Sequence, residues 1–118
     1  MPKFEIYHNP RCSKSRAALQ LLEENGVEPV VRLYLEQAPS AKELKSVLKL
    51  LGLSARELLR KGEDEYKEFK LADKSLSDAQ LIEAMIEHPR LIERPIVIRD
   101  GKAAKIGRPP EDVLKLLN

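Results

Sequence analysis

The sequence predicts an α/β fold: a mixed sheet in which an all-helical insertion separates the second strand from a C-terminal β-hairpin. Three observations lead there. A strand–helix–strand pattern with short connections opens the chain and implies a parallel pair joined by a right-handed crossover. From Ser40 to about His88 the apolar residues keep helical spacing. Beyond residue 94, two apolar segments flank Asp100-Gly101, which is a hairpin signal. The 118 residues suit one domain, 1–118, with the helical insertion at about 40–89.

Taken in order, Lys3–Tyr7 alternates, with Phe4 and Ile6 on one face and Glu5 and Tyr7 on the other. A helix runs from Ser13 to about Asn25, with Ala18, Leu21 and Leu22 at core spacing and Asn25-Gly26 as its stop. Pro29–Leu35 is rich in β-branched and apolar residues and reads as the second strand. Ser40 with Glu43, Ser54 with Glu57 and Ser77 with Gln80 are capping boxes, each opening a helix. The first helix carries Leu44, Val47, Leu48 and Leu51 and ends at Gly52. The second continues through Leu58 and Leu59, and Asp64–Lys70 suits a further short helical turn. The third carries Leu81, Ile82, Met85 and Ile86 and closes at Pro89. Pro95–Arg99 and Lys102–Ile106 form the hairpin, with Asp-Gly supplying the positive φ of a tight turn. A Gly107–Pro110 loop leads to a final helix, Glu111–Leu117, with Val113, Leu116 and Leu117 facing the core. This order, βα-β, helical insertion, ββα, is a thioredoxin/glutaredoxin-like plan.

Composition narrows the function classes. Apolar residues at 42% with 34% charged describe a globular chain, and a net charge of +2 is too small to argue for nucleic acid. No apolar run is long enough to cross a bilayer and no signal-peptide pattern follows Met1. One cysteine permits no intramolecular disulfide, and together these favour a reducing cytoplasm. No cysteine–histidine cluster suggests a metal, and no glycine-rich phosphate loop occurs.

That single cysteine, Cys12, falls where the first strand ends and the first helix begins. The first-turn N–H groups of a helix have no intrahelical partners, and the dipole there is positive. A thiol in that place is drawn toward thiolate, and Arg11, Lys14 and Arg16 push the same way. The same N–H groups suit an incoming oxyanion. A lone cysteine is often a small buried hydrophobe, but its neighbours are then apolar, whereas Cys12 lies in Pro10-Arg11-Cys12-Ser13-Lys14. His8 either tunes the thiolate or simply ends the strand. Three arginines sit at element boundaries: Arg60 at a helix end, Arg94 directly before Pro95, and Arg108 between a glycine and two prolines. A guanidinium fork matches a tetrahedral oxyanion. Their spacing alone leaves open whether they meet, or merely cap carbonyls and face solvent. A trans bond is the default at Pro95, which opens a strand without a ladder N–H to lose.

These residues resemble the glutaredoxin-coupled arsenate reductases, in their shorter form. The likeness rests on Tyr7-His8-Asn9-Pro10-x-Cys12, then Leu58-Leu59-Arg60-Lys61, then His88-Pro89-x-Leu91-Ile92-x-Arg94-Pro95-Ile96-Val97, and last Gly107-Arg108-Pro109-Pro110-Glu111. The blocks occur in order and span nearly the whole chain. The resemblance implies a thioredoxin-like fold with a helical insertion, a catalytic Cys12 that attacks arsenate or a similar oxyanion, and Arg60, Arg94 and Arg108 as its ligands. His8, Ser15 and a cis Pro95 would support the site. No bound cofactor or metal is implied; glutathione would be the co-substrate and glutaredoxin the partner, since the chain has no second cysteine to resolve the first. Spx-type relatives bind RNA polymerase instead, often through Cys-x-x-Cys, where this chain has Ser15 in the second place. Cys12-Ser13-Lys14-Ser15 also fits a monothiol, glutathione-linked oxidoreductase.

Overall fold

Strand β1 (Phe4–Tyr7) lies inside a four-stranded mixed sheet of order β2-β1-β3-β4. It pairs in parallel with β2 (Val30–Arg32) and antiparallel with β3 (Ile96–Arg99), which pairs antiparallel with β4 (Ala103–Ile106). The computed structural model describes residues 2–117. They form two compact units: the chain up to Gln37 together with the chain from Arg94 onward, which holds the sheet, and the segment Ala38–Glu93.

In the sheet unit, alternation puts Phe4 and Ile6 on one face, where they join Val97 and meet Ala18 and Leu22 of α1 (Ser13–Glu24). Val113 and Leu116, from a 3₁₀ run Pro110–Leu116, complete that cluster. Each such aliphatic burial is worth roughly 1.5–3 kcal/mol. On the opposite face Tyr7 is also buried, its ring stacked 6.4 Å from that of Tyr34, with the Arg32 guanidinium 5.4 Å from the Tyr7 centroid. Burial on both faces fixes the register of β1, and hence where the chain leaves it toward Cys12. The hairpin turn forms at Asp100-Gly101 with φ values of 55° and 65°. Those are the paired positive angles that join strands of right-handed twist.

Two elements depart from expectation. The second strand is three residues long rather than running from Pro29 to Leu35. It lies at the sheet edge with Val30 and Val31 exposed, and the Leu33 carbonyl then accepts the N–H groups of both Glu36 and Gln37, which turns the chain. The last element is a 3₁₀ run, not an α-helix. Its buried residues Val113 and Leu116 are three apart, the spacing that a three-residue turn brings onto one line.

In the second unit, α2 (Ala41–Leu51), α3 (Ala55–Leu58) and α5 (Asp78–Glu87) each begin at a complete capping box, on Ser40, Ser54 and Ser77. α4 (Asp64–Glu68) lies between the last two, and a 3₁₀ turn, Pro89–Leu91, follows α5. α2 stops at Gly52, whose φ of 70° provides the left-handed cap. α5 packs on α2 and α3, burying Leu44, Val47, Leu58, Leu81, Ile82 and Met85. An isolated antiparallel bridge joins Leu59 to Ile92.

Gly107 matters through its lack of a side chain. A Cβ there would lie 2.7 Å from Pro95 Cγ and 3.2 Å from both Ala18 Cβ and Val113 Cγ1. None of these atoms is the far end of a flexible side chain, so Gly107→Ala should destabilise the protein by about 1–3 kcal/mol, the usual cost of overpacking. Denaturant unfolding reads this as a lower midpoint at constant slope; an unchanged midpoint would mean that the contact relaxes freely.

Candidate functional site

The turn before α1 builds the site. Asn9 Oδ1 accepts the Arg11 N–H at 3.0 Å, and the Asn9 carbonyl accepts the Cys12 N–H at 3.0 Å. Cys12 is the N-cap of α1: its backbone is extended and its carbonyl accepts the Arg16 N–H at 3.0 Å. The thiol is partly buried and free. Partial burial pushes its pKa up, but the backbone N–H groups of Ser15 and Lys14 pull it down, as do a hydrogen bond and the positive charge of the Arg94 guanidinium. The net result lies below the ordinary thiol value. The expected help from Arg11, Lys14 and Arg16 side chains is not among these causes. All three are exposed, where water screens them.

Arg108, 96 residues further along the chain, reaches the thiol: its Nη2 lies 3.7 Å from Cys12 Sγ. Arg108 Nε donates to the Arg94 carbonyl at 2.8 Å, so the two arginines hold each other in place. The Arg94–Pro95 bond is cis, as the resemblance implied, and so is Arg108–Pro109, which nothing in the sequence singled out. The Gly107 N–H donates to the Pro95 carbonyl at 2.9 Å, tying the two proline loops together. Arg60 lies in the helical unit. Its Nε donates to Glu63 at 3.2 Å and its Nη1 to Glu93 at 2.9 Å.

His8 is buried and its ring bonds not to the thiol but to Ser15, Nδ1 to Oγ at 2.6 Å. Ser15 Oγ also accepts the Asn9 N–H at 3.0 Å, which leaves its own O–H to donate to a neutral imidazole. Burial first, and then the charge of Arg16, lower the His8 pKa and keep the ring neutral. Protonation therefore favours the unfolded chain, and stability from this group falls as pH drops below the ordinary imidazole value of about 6.5. Ser15 thus braces the loop under Cys12. Asn9 and Gly107 are the positions that sequence reasoning missed; an Asx residue before proline is a turn signal that could have marked the first. Among the described residues no group of three His, Cys, Asp or Glu side chains is placed to hold a metal, and no helix is long and apolar enough to cross a membrane.

The chemistry available here is nucleophilic attack by a thiolate on an anion that paired guanidinium groups can hold. If the thiol is activated as described, its alkylation by iodoacetamide should show a midpoint below the ordinary value of about 8.5, and Arg94→Gln should move that midpoint upward. A wild-type midpoint at or above 8.5 would contradict the electrostatic account.

A mixed four-stranded sheet with a reactive-type cysteine at the N-cap after β1 and a cis-proline opening β3 defines a thioredoxin-like protein. The chain belongs to the ArsC family, whose model matches residues 7–116. It is 51% identical over 113 residues to an arsenate reductase of Haemophilus influenzae, covering 95% of this chain and 97% of that protein. It is 61% identical over 114 residues to an Escherichia coli protein described as uncharacterized, YfgD, covering 96% of this chain and 95% of the other. Among solved structures it matches an arsenate reductase from Vibrio cholerae with a TM-score of 0.92 at 54% identity, covering 96% of each chain.

Proposed function

We propose that the chain is an arsenate reductase of the glutathione- and glutaredoxin-dependent type, working in a reducing cytoplasm. The observation that carries this reading is the Cys12 thiol at a helix N-cap with Arg108 Nη2 at 3.7 Å and Arg94 lowering its pKa. Relatives named arsenate reductase support the choice of oxyanion. Arg94 and Arg108 hold arsenate, and the Cys12 thiolate attacks arsenic(V). A sulfur–arsenic bond forms and one oxygen leaves as water once protonated. A glutathione thiolate then attacks Cys12 Sγ. The new bond is S–S, the S–As bond breaks, and its electron pair stays on arsenic, which leaves as arsenite. Glutaredoxin takes the glutathione from the mixed disulfide and restores the thiol. Phosphate has the same shape and charge, so it competes for the site without being reduced.

The test compares two reducing systems. With arsenate, glutathione and glutaredoxin, arsenite should accumulate over many turnovers. With thioredoxin and its reductase alone, the protein should stop after at most one attack, because its only cysteine is Cys12. Efficient turnover in the second mixture would overturn the glutathione step. No turnover in either, with the thiol reduced, would shift the reading to a polymerase-binding regulator, which a pull-down of RNA polymerase α subunit would detect. Deglutathionylating activity without any oxyanion would favour the monothiol oxidoreductase.

A further inference from the structure

We infer that the groove beside the Cys12 turn, between Asn9-Pro10-Arg11 and the segment Leu33–Glu36, seats the glutathione that resolves Cys12. This rests on Cys12 being released by an external thiol. The groove encloses about 300 Å³ and is lined by Asn9, Pro10, Arg11, Leu33, Leu35 and Glu36, with His8 at its back. That volume is at the lower end for small-molecule sites and suits a tripeptide better than a folded partner. Its wall is the turn that the Cys12 N–H closes onto the Asn9 carbonyl at 3.0 Å, and Arg11, the last residue of that wall, directly precedes Cys12.

The lining matches glutathione group by group. That tripeptide carries an ammonium at one end, a carboxylate near each end, and its thiol in the middle. Arg11 and Glu36 are the charged side chains of the groove, of opposite sign, and both are exposed. Among the described residues neither side chain has an ion-pair partner. Arg11 offers a fork to a carboxylate and Glu36 accepts the ammonium. Pro10, Leu33 and Leu35 give an apolar surface for the cysteinyl methylene. Leu35 is 38% exposed, an uncovered leucine that an occupant of the groove would shield. Holding a thiol by its charged ends next to Cys12 raises its effective concentration, and small uncharged thiols gain nothing from that.

The test isolates the thiol step. Cys12 is converted to its mixed disulfide with thionitrobenzoate, and the release of thionitrobenzoate is followed after adding glutathione or, separately, 2-mercaptoethanol. Glu36→Lys should slow the glutathione reaction by up to about fivefold, the scale of one exposed ion pair, and leave the 2-mercaptoethanol reaction unchanged. Leu35→Ser should act in the same direction. Glu36 makes no side-chain hydrogen bond among the described residues, and an unchanged circular dichroism spectrum will confirm that its variant folds. Equal effects on the two thiols, or none on either, would overturn the assignment. The assay contains no arsenate, so that result would remove the groove and leave the oxyanion chemistry of Cys12 standing.

Discussion

Cys12→Ser should reduce arsenate turnover to the background rate while leaving the fold as stable as before or slightly more so. A serine hydroxyl stays protonated where a thiolate forms, and it cannot be oxidised to a disulfide, so both the attack and its resolution disappear. No other thiol exists to substitute. Stability should move the other way because Cys12 is the N-cap of α1 and its side chain makes no capping hydrogen bond. Serine is a favoured N-cap, and replacing a poor cap by a good one stabilises a helix by about 0.5–2 kcal/mol. The wild-type residue is therefore one that the helix does not prefer and the chemistry requires. Arsenite production and thermal unfolding measured on the same preparation separate the two effects. Residual turnover well above background would show that Cys12 is not the nucleophile. Loss of folding would show that its role is structural.

Local rules made most elements legible in the sequence. Each capping box involves residues three apart, and Asp100-Gly101 needs only its own dihedral preferences. The position of Cys12 between a strand and a helix was legible for the same reason. What was hidden depends on neighbours far along the chain. The edge position of β2 shortens it, and an apolar run does not say whether a strand is central or marginal. The 3₁₀ form of the last element follows from where Val113 and Leu116 must meet α1 and the sheet. At the site, the sequence favoured the cations beside Cys12, but these are solvated. Arg94 and Arg108, brought in by β3 and the loop after β4, act on the thiol instead. The four ordered blocks of the family resemblance pointed to Arg60, Arg94 and Arg108, and two of these, Arg94 and Arg108, bear on the thiol. Gly107 lay inside one block, yet its role as the space into which Pro95 fits is purely tertiary.

Arg94→Lys and Arg108→Lys should each lower kcat/KM for arsenate by about 10- to 150-fold, equivalent to roughly 1.5–3 kcal/mol for a hydrogen bond to a charged group. Lysine keeps the charge but presents a single point where the guanidinium offers a planar fork. The two losses should differ in kind. Arg94 acts on the thiol through both a hydrogen bond and its charge, so Arg94→Lys should keep the share due to charge, whereas Arg94→Gln should leave only the lowering due to the Ser15 and Lys14 backbone N–H groups. Arg108 also anchors the Arg94 carbonyl through Nε at 2.8 Å, so Arg108→Lys loosens the Arg94 loop as well as losing its own contact. The double variant should then fall short of the sum of the singles, because both disturb one hydrogen-bonded unit. Arg60→Lys belongs in the same series. Its fork is engaged by Glu63 and Glu93, and a loss of similar size would give it the third place that the family resemblance assigns. Unchanged kcat/KM in Arg94→Lys or Arg108→Lys, with the thiol still reactive, would remove that arginine from the oxyanion site.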